Sequence, residues 1–287
     1  MTLMRGKVCL VTGANAGIGK ETAAGLAVLG ARVILACRDM KKAAAAKMEI
    51  RAAAPQSQVE AMRLDLADLR QVRAFARQCA EGQERLDVLI NNAGVWKRRR
   101  ETTKDGLEAV FAINHLGPAF LTLELLPLLK AGAPSRIVFV SSDSHYGGRM
   151  NWEDTQFEKE GYGSAAYRQS KLANVLFVKA LARRLDGGRV TVNALHPGVV
   201  ATDIGRDYPR WLLALAKPFR MTAREGARCS IDLAADPRWD HVTGGYFRKS
   251  KLVPASDAAR NHASQERLWE ATLAMLERAG VSAKPPA

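Results

Sequence analysis

Short apolar runs alternate along this chain with longer stretches in which apolar residues recur every three or four positions. Residues Lys7–Thr12, Arg32–Ala36, Val59–Leu64, Leu86–Ile90, Arg136–Val140 and Arg189–Ala194 are largely apolar, as expected of strands buried on both faces of a parallel sheet. Helical runs separate them at Lys20–Leu29, after Asp39, from Asp68 to Cys79, at Thr103–Leu116 and at Leu116–Leu129, the last two broken near Gly117-Pro118. Another helical run, Ser164 to Leu185, precedes the sixth strand. A helix over Ala223–Ala234, a short strand near Gly244–Phe247 and an amphipathic helix over about Ala263–Ala279 follow. Strands and helices alternate without repeat or linker, which predicts an α/β fold with a doubly wound parallel sheet in a single domain over residues 1–287. Residues 143–163 and 203–222 follow neither period and are expected to be loops that set substrate specificity.

Composition changes this picture little. Hydrophobic content of 47% and charged content of 25% are ordinary for a globular chain. The net charge of +14 admits nucleic acid, an anionic membrane surface, or a solvated surface around a site for a phosphorylated cofactor. The charges are spread out apart from Lys97-Arg98-Arg99-Arg100, and no nucleic-acid reading motif is present, which favours the last reading. Cys9, Cys37, Cys79 and Cys229 lack metal-ligand spacing, so a reduced, cytoplasmic chain without a metal is expected. No signal-like apolar region opens the sequence. The most apolar run, Leu116–Leu129, holds Pro118, Glu124 and Pro127 and reads as too short to span a bilayer.

Candidate chemistry gathers at the ends of the strands. After the first comes Thr12-Gly13-Ala14-Asn15-Ala16-Gly17-Ile18-Gly19, then a helix, the setting of a dinucleotide fingerprint. Gly13 suits the tight turn, Gly17 close approach to a pyrophosphate, and Gly19 close helix–strand packing. A glycine-rich loop without a ligand is the alternative. After the second strand stands Cys37-Arg38-Asp39, where an acid would favour NAD. Arg38 instead suits a 2′-phosphate, Lys20 adds a second cation, and Asp39 reads as a helix cap. Asp65-Leu66 ends the third strand, where a carboxylate can meet an adenine amino group, and Asn91-Asn92-Ala93-Gly94 follows the fourth. Asn114 sits mid-helix, where Asn is disfavoured without a kink, a water or a backbone contact. Ser141-Ser142 ends the fifth strand, and His196-Pro197-Gly198 follows the sixth. Tyr167 and Lys171 share a helix face at i and i+4. A cation near a phenol favours phenolate, which suits proton exchange with an alcohol or carbonyl oxygen.

Together Thr12–Gly19, Asn91–Gly94, Asn114, Ser142 with Tyr167 and Lys171, and Pro197-Gly198 resemble the short-chain dehydrogenase/reductase superfamily over about residues 5 to 250. Ala36-Cys37-Arg38-Asp39, Asn114-His115-Leu116-Gly117, Ser170-Lys171-Leu172-Ala173-Asn174 and Leu195-His196-Pro197-Gly198 are similar to its retinol dehydrogenase and WW-domain oxidoreductase branch. Neither an N-terminal anchor nor a WW domain is read in the sequence. The resemblance implies a Rossmann fold and an NADP(H)-dependent enzyme acting on a small carbonyl or alcohol, with an apolar, retinal-like aldehyde or ketone within range. A non-catalytic NADP-sensing regulator on the same fold is the alternative. The implied catalytic set is Asn114, Ser142, Tyr167 and Lys171. Tyr167 exchanges the proton, Lys171 lowers its pKa and holds the nicotinamide ribose, Ser142 binds the carbonyl oxygen, and Asn114 fixes a water. The implied cofactor set is Gly13, Asn15, Ala16, Gly17, Ile18, Gly19, Arg38, Asp65, Leu66, Asn92, Ala93, Gly94, Tyr167, Lys171, Pro197, Gly198, Val200 and Thr202. The resemblance further implies a homodimer or homotetramer through the helices near Thr103–Leu129 and Ala165–Leu185.

Overall fold

A computed structural model of the chain describes residues 3–159, 161–185, 189–198, 221–284 and 286. Among them eight strands form one sheet in the order β3-β2-β1-β4-β5-β6-β7-β8. They are β1 Val8–Thr12, β2 Arg32–Cys37, β3 Val59–Arg63, β4 Val88–Asn91, β5 Ser135–Val140, β6 Val190–His196, β7 Tyr246–Arg248 and β8 Lys251–Val253. All neighbours are parallel except β7 and β8. The antiparallel edge strand β8 was not anticipated, because its three residues are mostly exposed and carry no apolar pattern. The strand order reverses between β1 and β4, so the loops leaving their carboxyl ends diverge and open a crevice.

Helices cover both faces. On one, α1 (Gly17–Val28), α2 (Met40–Ala53) and α6 (Ala223–Ala235) bury Ala23, Leu26, Ile50 and Leu233. On the other, α3 (Leu69–Gly82), α4 (Ala109–Ala131), α5 (Ser164–Arg184) and α7 (His262–Arg278) bury Phe75, Phe120, Phe177 and Trp269. As expected, Asp39 caps α2, accepting from Lys42 N, and Asp68 likewise caps α3, accepting from Gln71 N.

Helix α4 departs from expectation at three points. It starts at Ala109, not Thr103. Thr102 and Glu108 form an antiparallel bridge, and Gly106 at φ +74° turns the chain between them. The buried Glu108 carboxylate then caps the helix, accepting from Val110 N at 2.6 Å and Phe111 N at 2.7 Å. The expected break near Gly117-Pro118 is replaced by a π turn, Ala112–Leu116, with Gly117 N–H reaching Ala112 C=O. A widened turn relieves the clash between the Pro118 ring and the carbonyl four residues back, so the helix continues. The continuous helix, 23 residues long, is long and apolar enough to cross a bilayer, which corrects the reading of this segment as too short. Its apolar window is 89% buried inside the protein, so packing accounts for that character.

Helix α7 of the same chain packs against α4 and α5. Trp269 stacks on Phe177 at 5.4 Å, and Thr272 Oγ1 lies 2.9 Å from His115 Nε2. Arg184 lies over the Trp269 ring at 4.1 Å, and Glu266 bridges Arg183 and Arg184 at 2.6 and 2.5 Å.

Candidate active site

The glycine-rich turn is shaped by its neighbours. Gly13 and Gly17 take φ of +65° and +55°, which glycine adopts at little cost. A Cβ on Gly13 would press on Ala93 Cα at 3.0 Å. A Cβ on Gly19 would collide with Asn92 Nδ2 and the Gly13 carbonyl, so Gly19 lets α1 approach the chain leaving β1, as expected, and the turn leaving β4 as well. Helix α1 begins after Ala16 with no side-chain cap, which leaves its N–H groups to a phosphate. Thr12 joins the two crossover loops. Its Oγ1 accepts from Asn92 N and Ala93 N, both at 3.0 Å, while Asn92 Nδ2 donates to the Thr12 carbonyl at 2.8 Å. Sequence reasoning passed over this threonine, whose one signal was its place between strand and glycine.

The second cluster lies where β4, α4, β5 and α5 converge. Lys171 is 2% exposed, and its ammonium donates to the Val140 carbonyl at 3.0 Å. No carboxylate pairs with it among the described residues, and burial pulls its pKa down to about 8. The ammonium lies 5.6 Å from the centroid of the Tyr167 ring, as the i, i+4 spacing requires. A Cβ on Gly94 would sit 3.3 Å from Lys171 Nζ and 3.4 Å from Asn114 Oδ1, so the turn after β4 lies directly against both. Asn114, inside the π turn, accepts from Val95 N at 2.7 Å and donates to Val95 O and Ser170 Oγ at 2.9 Å. Ser170 Oγ in turn donates to the Tyr167 carbonyl. A backbone contact and a widened turn are thus the reasons for an asparagine within this helix. Ser141 packs beneath the site as a buried donor to the Lys171 carbonyl at 2.8 Å.

Ser142 lies two residues beyond the end of β5 and caps the 3-10 turn Asp143–Gly147, its hydroxyl accepting from Ser144 N at 3.1 Å. The following loop is tied down by Glu108, which sequence reasoning missed: Tyr162 OH donates to its carboxylate at 2.7 Å, and Gln156 Oε1 accepts from its N–H at 2.8 Å. Burial and that carboxylate hold the Tyr162 phenol well above its usual pKa, and burial with Asp143 does the same for Tyr246. Neither is suited to give up a proton near neutral pH.

At the corner beyond β2 the two expected cations differ. Arg38 is exposed and has no ion-pair or hydrogen-bond partner among the described residues. Lys20 is not available as expected: its ammonium pairs with Glu49 of α2 at 2.6 Å. The Asp65 carboxylate accepts from Ala67 N at 3.0 Å and keeps its second oxygen. Pro197 and Gly198 follow β6, with Gly198 at φ +94°. Val200, Thr202 and residues 203–220 of the second substrate loop lie outside the described residues.

A glycine cradle with a free helix end, set beside a tyrosine and a buried ammonium at one sheet edge, places this protein among the dinucleotide-dependent oxidoreductases. Comparison with known proteins narrows the class. The sequence profile described as short chain dehydrogenase matches residues 7–212, and the chain belongs to that family. It is 45% identical over 273 residues to retinol dehydrogenase 12 of Homo sapiens, covering 94% of this chain and 86% of that protein. It is 45% identical over 290 residues to retinol dehydrogenase 14 of Mus musculus, covering 96% and 87%. Among solved structures, a protein of Mycobacterium Paratuberculosis superposes with a TM-score of 0.79 at 34% identity, covering 98% of this chain and 96% of that one. The Pseudomonas aeruginosa RhlG/NADP active-site complex superposes with a TM-score of 0.71 at 28% identity, covering 86% and 96%. The family and the intact tyrosine–lysine pair support an enzyme over a non-catalytic regulator.

Proposed function

We propose that the protein is an NADP(H)-dependent oxidoreductase that interconverts an apolar carbonyl compound and its alcohol, with retinal-like aldehydes within its range. The observation that carries this is the buried, carboxylate-free Lys171 ammonium beside the Tyr167 ring. The substrate class rests on the names of the relatives, the retinol dehydrogenases. The cofactor rests on the fit of the Gly13–Gly19 cradle, the free Arg38 and the NADP in the RhlG complex.

In this reading Tyr167 exchanges its phenolic proton with the substrate oxygen, and the Ser142 hydroxyl hydrogen-bonds the same oxygen. The Lys171 charge favours the phenolate that this exchange leaves. One of the three ammonium protons is used by Val140, so two remain for the cofactor ribose and a water. Asn114 holds the Gly94–Val95 turn and keeps one acceptor lone pair for that water. When bound, NADP(H) supplies the hydride exchange at the carbon bearing the oxygen. Gly13, Gly17 and Ala16 would receive the pyrophosphate, and Arg38 the 2′-phosphate.

A cytoplasmic setting belongs to the same proposal, supported by four free, buried cysteines. With α7 over α4 and α5, the chain is read as self-sufficient on that face. A two-fold assembly there would have to form on the outer surface of α7, and light scattering against the 31.2 kDa of one chain tests it. The substrate reading is tested by a panel of aldehydes, ketones and alcohols followed by NADPH absorbance. Turnover confined to small polar substrates would sink it.

A further inference from the structure

The peptide bond that follows Ser142 is held by two histidines from opposite sides. On one side His145 Nδ1 lies 2.8 Å from the Ser142 carbonyl oxygen, and its Nε2 accepts from Ser256 N–H at 3.1 Å. A backbone N–H can only donate, so Nε2 carries no proton and Nδ1 does. His145 is therefore neutral and donates to the Ser142 carbonyl. On the other side the Asp143 N–H donates to His196 Nδ1 at 3.2 Å. By the same logic His196 holds its proton on Nε2, which faces Asp143 Oδ2 at 3.6 Å. The two rings thus carry opposite tautomers, and both ends of one amide are engaged. Neither histidine is used by the mechanism above.

The surroundings keep this arrangement in place. His145 is fully buried between Tyr146 and Tyr246, with ring centroids at 4.2 and 4.4 Å. The Asp143 carboxylate accepts from Tyr246 OH at 3.0 Å and lies 3.5 Å from Arg248 Nη1. Among the described residues the charged groups facing the pair are Asp143 from its own turn and Arg248 from β7, with the phenols of Tyr146 and Tyr246 as further titratable neighbours. Burial lowers the pKa of both histidines, and Asp143 opposes this. His196 directly precedes Pro197-Gly198, so the clamp also joins the Ser142 turn to the loop leaving β6.

We propose that His145 and His196 are positioning residues that clamp the Ser142–Asp143 peptide and fix the Ser142 hydroxyl for catalysis, and that they do so only while both imidazoles are neutral. A proton added to His145 Nε2 would face the Ser256 N–H. A proton added to His196 Nδ1 would face the Asp143 N–H. Either replaces a hydrogen bond with two opposed donors: on His196 this releases the Asp143 end of the peptide, and on His145 it breaks the tie to Ser256 that seats the ring against the Ser142 carbonyl. Acid therefore disables the site at Ser142 through the clamp. The inference rests on Ser142 binding the substrate oxygen.

The test compares His196→Leu, which removes the acceptor, with His196→Asn, whose Oδ1 can take the place of Nδ1 and does not titrate. At pH 8 the leucine variant should lose about tenfold in kcat, the scale of one hydrogen bond, with the NADPH Kd within about twofold of wild type. The asparagine variant should recover most of the loss. The acid limb of its log kcat profile should reach a slope of about one, against about two in wild type, because one of two inactivating protons is gone. Ser142→Ala is measured alongside. In its background His196→Leu should cost nothing further. Equal losses in the leucine and asparagine variants, or wild-type kcat in the leucine variant, would overturn the clamp while Ser142→Ala still lowers kcat. Unchanged kcat in Ser142→Ala would overturn the role of Ser142 and the clamp with it. If the variants do not fold, nitrogen NMR of the wild-type imidazoles at pH 7.5 decides. It should show His145 protonated on Nδ1 and His196 on Nε2, and any other pair of states overturns the proposal.

Discussion

The proposed catalytic centre around Lys171 and the proposed cofactor-selecting corner at Arg38 share one sheet edge and are built on opposite terms. Around Lys171 the polar atoms are engaged before any ligand arrives. The ammonium is on Val140, Asn114 on Val95 and Ser170, Ser170 on the Tyr167 carbonyl, and Ser141 on the Lys171 carbonyl. At the corner Arg38 stands exposed without a partner among the described residues, while Lys20 of α1 is already paired with Glu49. Groups that do chemistry gain from geometry fixed in advance. A group that discriminates between ligands gains from being left for the ligand to satisfy.

Breaking the fixed side should have the largest effect. Tyr167→Phe should lower kcat by about 100-fold or more while the NADPH Kd moves little, because the ring and its packing remain and only the proton is lost. Lys171→Met should lower kcat at least as far and weaken NADPH binding as well. Steady-state rates with NADPH fluorescence titration check both, and near-normal turnover of the phenylalanine variant would remove Tyr167 from the mechanism.

The open side should respond more narrowly. Arg38→Ser should raise the NADPH Kd by about tenfold or more, the scale of a charge-assisted contact, and leave the NADH Kd within about twofold. Lys20→Ala should change either Kd by less than about twofold, because its exposed pair with Glu49 already occupies it. Equal weakening of both cofactors by Arg38→Ser would show that Arg38 does not read the phosphate.

The same contrast explains how far the sequence could be read. The strands were legible because their residues are buried on both faces, as Cys9, Leu10 and Val11 are. Tyr167, Lys171 and the glycine turn were legible because helix and turn geometry fix them over a few residues. What depends on a distant partner was not. The Lys20–Glu49 pair joins positions on different helices. The π turn was signalled by Asn114 only as a kink, because its hydrogen bonds follow no residue period. Glu108 gave no sign of capping, since glutamate is not a favoured N-cap residue. His145 and His196 lie far apart in sequence and meet only on the Ser142–Asp143 peptide.

Fixing a cation without a carboxylate should also cost stability. The Lys171 pKa is about 8 in the folded protein and near 10.5 unfolded, so between those values the unfolded chain binds more protons. The penalty is complete below pH 8, shrinks as pH rises toward 10.5 and is gone above it. Lys171→Met, inactive as an enzyme, should therefore melt roughly 2–4 °C above wild type at pH 7. Its margin should narrow from pH 8 to 10. Calorimetry of both proteins checks the sign, and a lower melting temperature for the methionine variant at pH 7 would mean that hydrogen bonds to the ammonium outweigh its desolvation.

The smallest effect should come from the outer support of the fixed side. Glu266 of α7 accepts from both Arg183 and Arg184 near the end of α5, and their hydrogen bonds hold its carboxyl down to about 2. Its side chain is 32% exposed, so solvent screens the pair and the contribution is about 0.5–1 kcal/mol. A depressed carboxyl pKa stabilises the fold above the unfolded value near 4.5, and the contribution is lost as pH falls toward 2. Glu266→Gln should thus lower stability by that amount at pH 7 in urea unfolding, and the gap from wild type should close as pH falls from about 4.5 toward 2. Trp269 still stacks on Phe177 and under Arg184, so α7 stays seated and kcat should not change. A fall in kcat of the glutamine variant at pH 7 would show that the ion pairs, and not the aromatic packing, set the position of the helix that carries Tyr167 and Lys171.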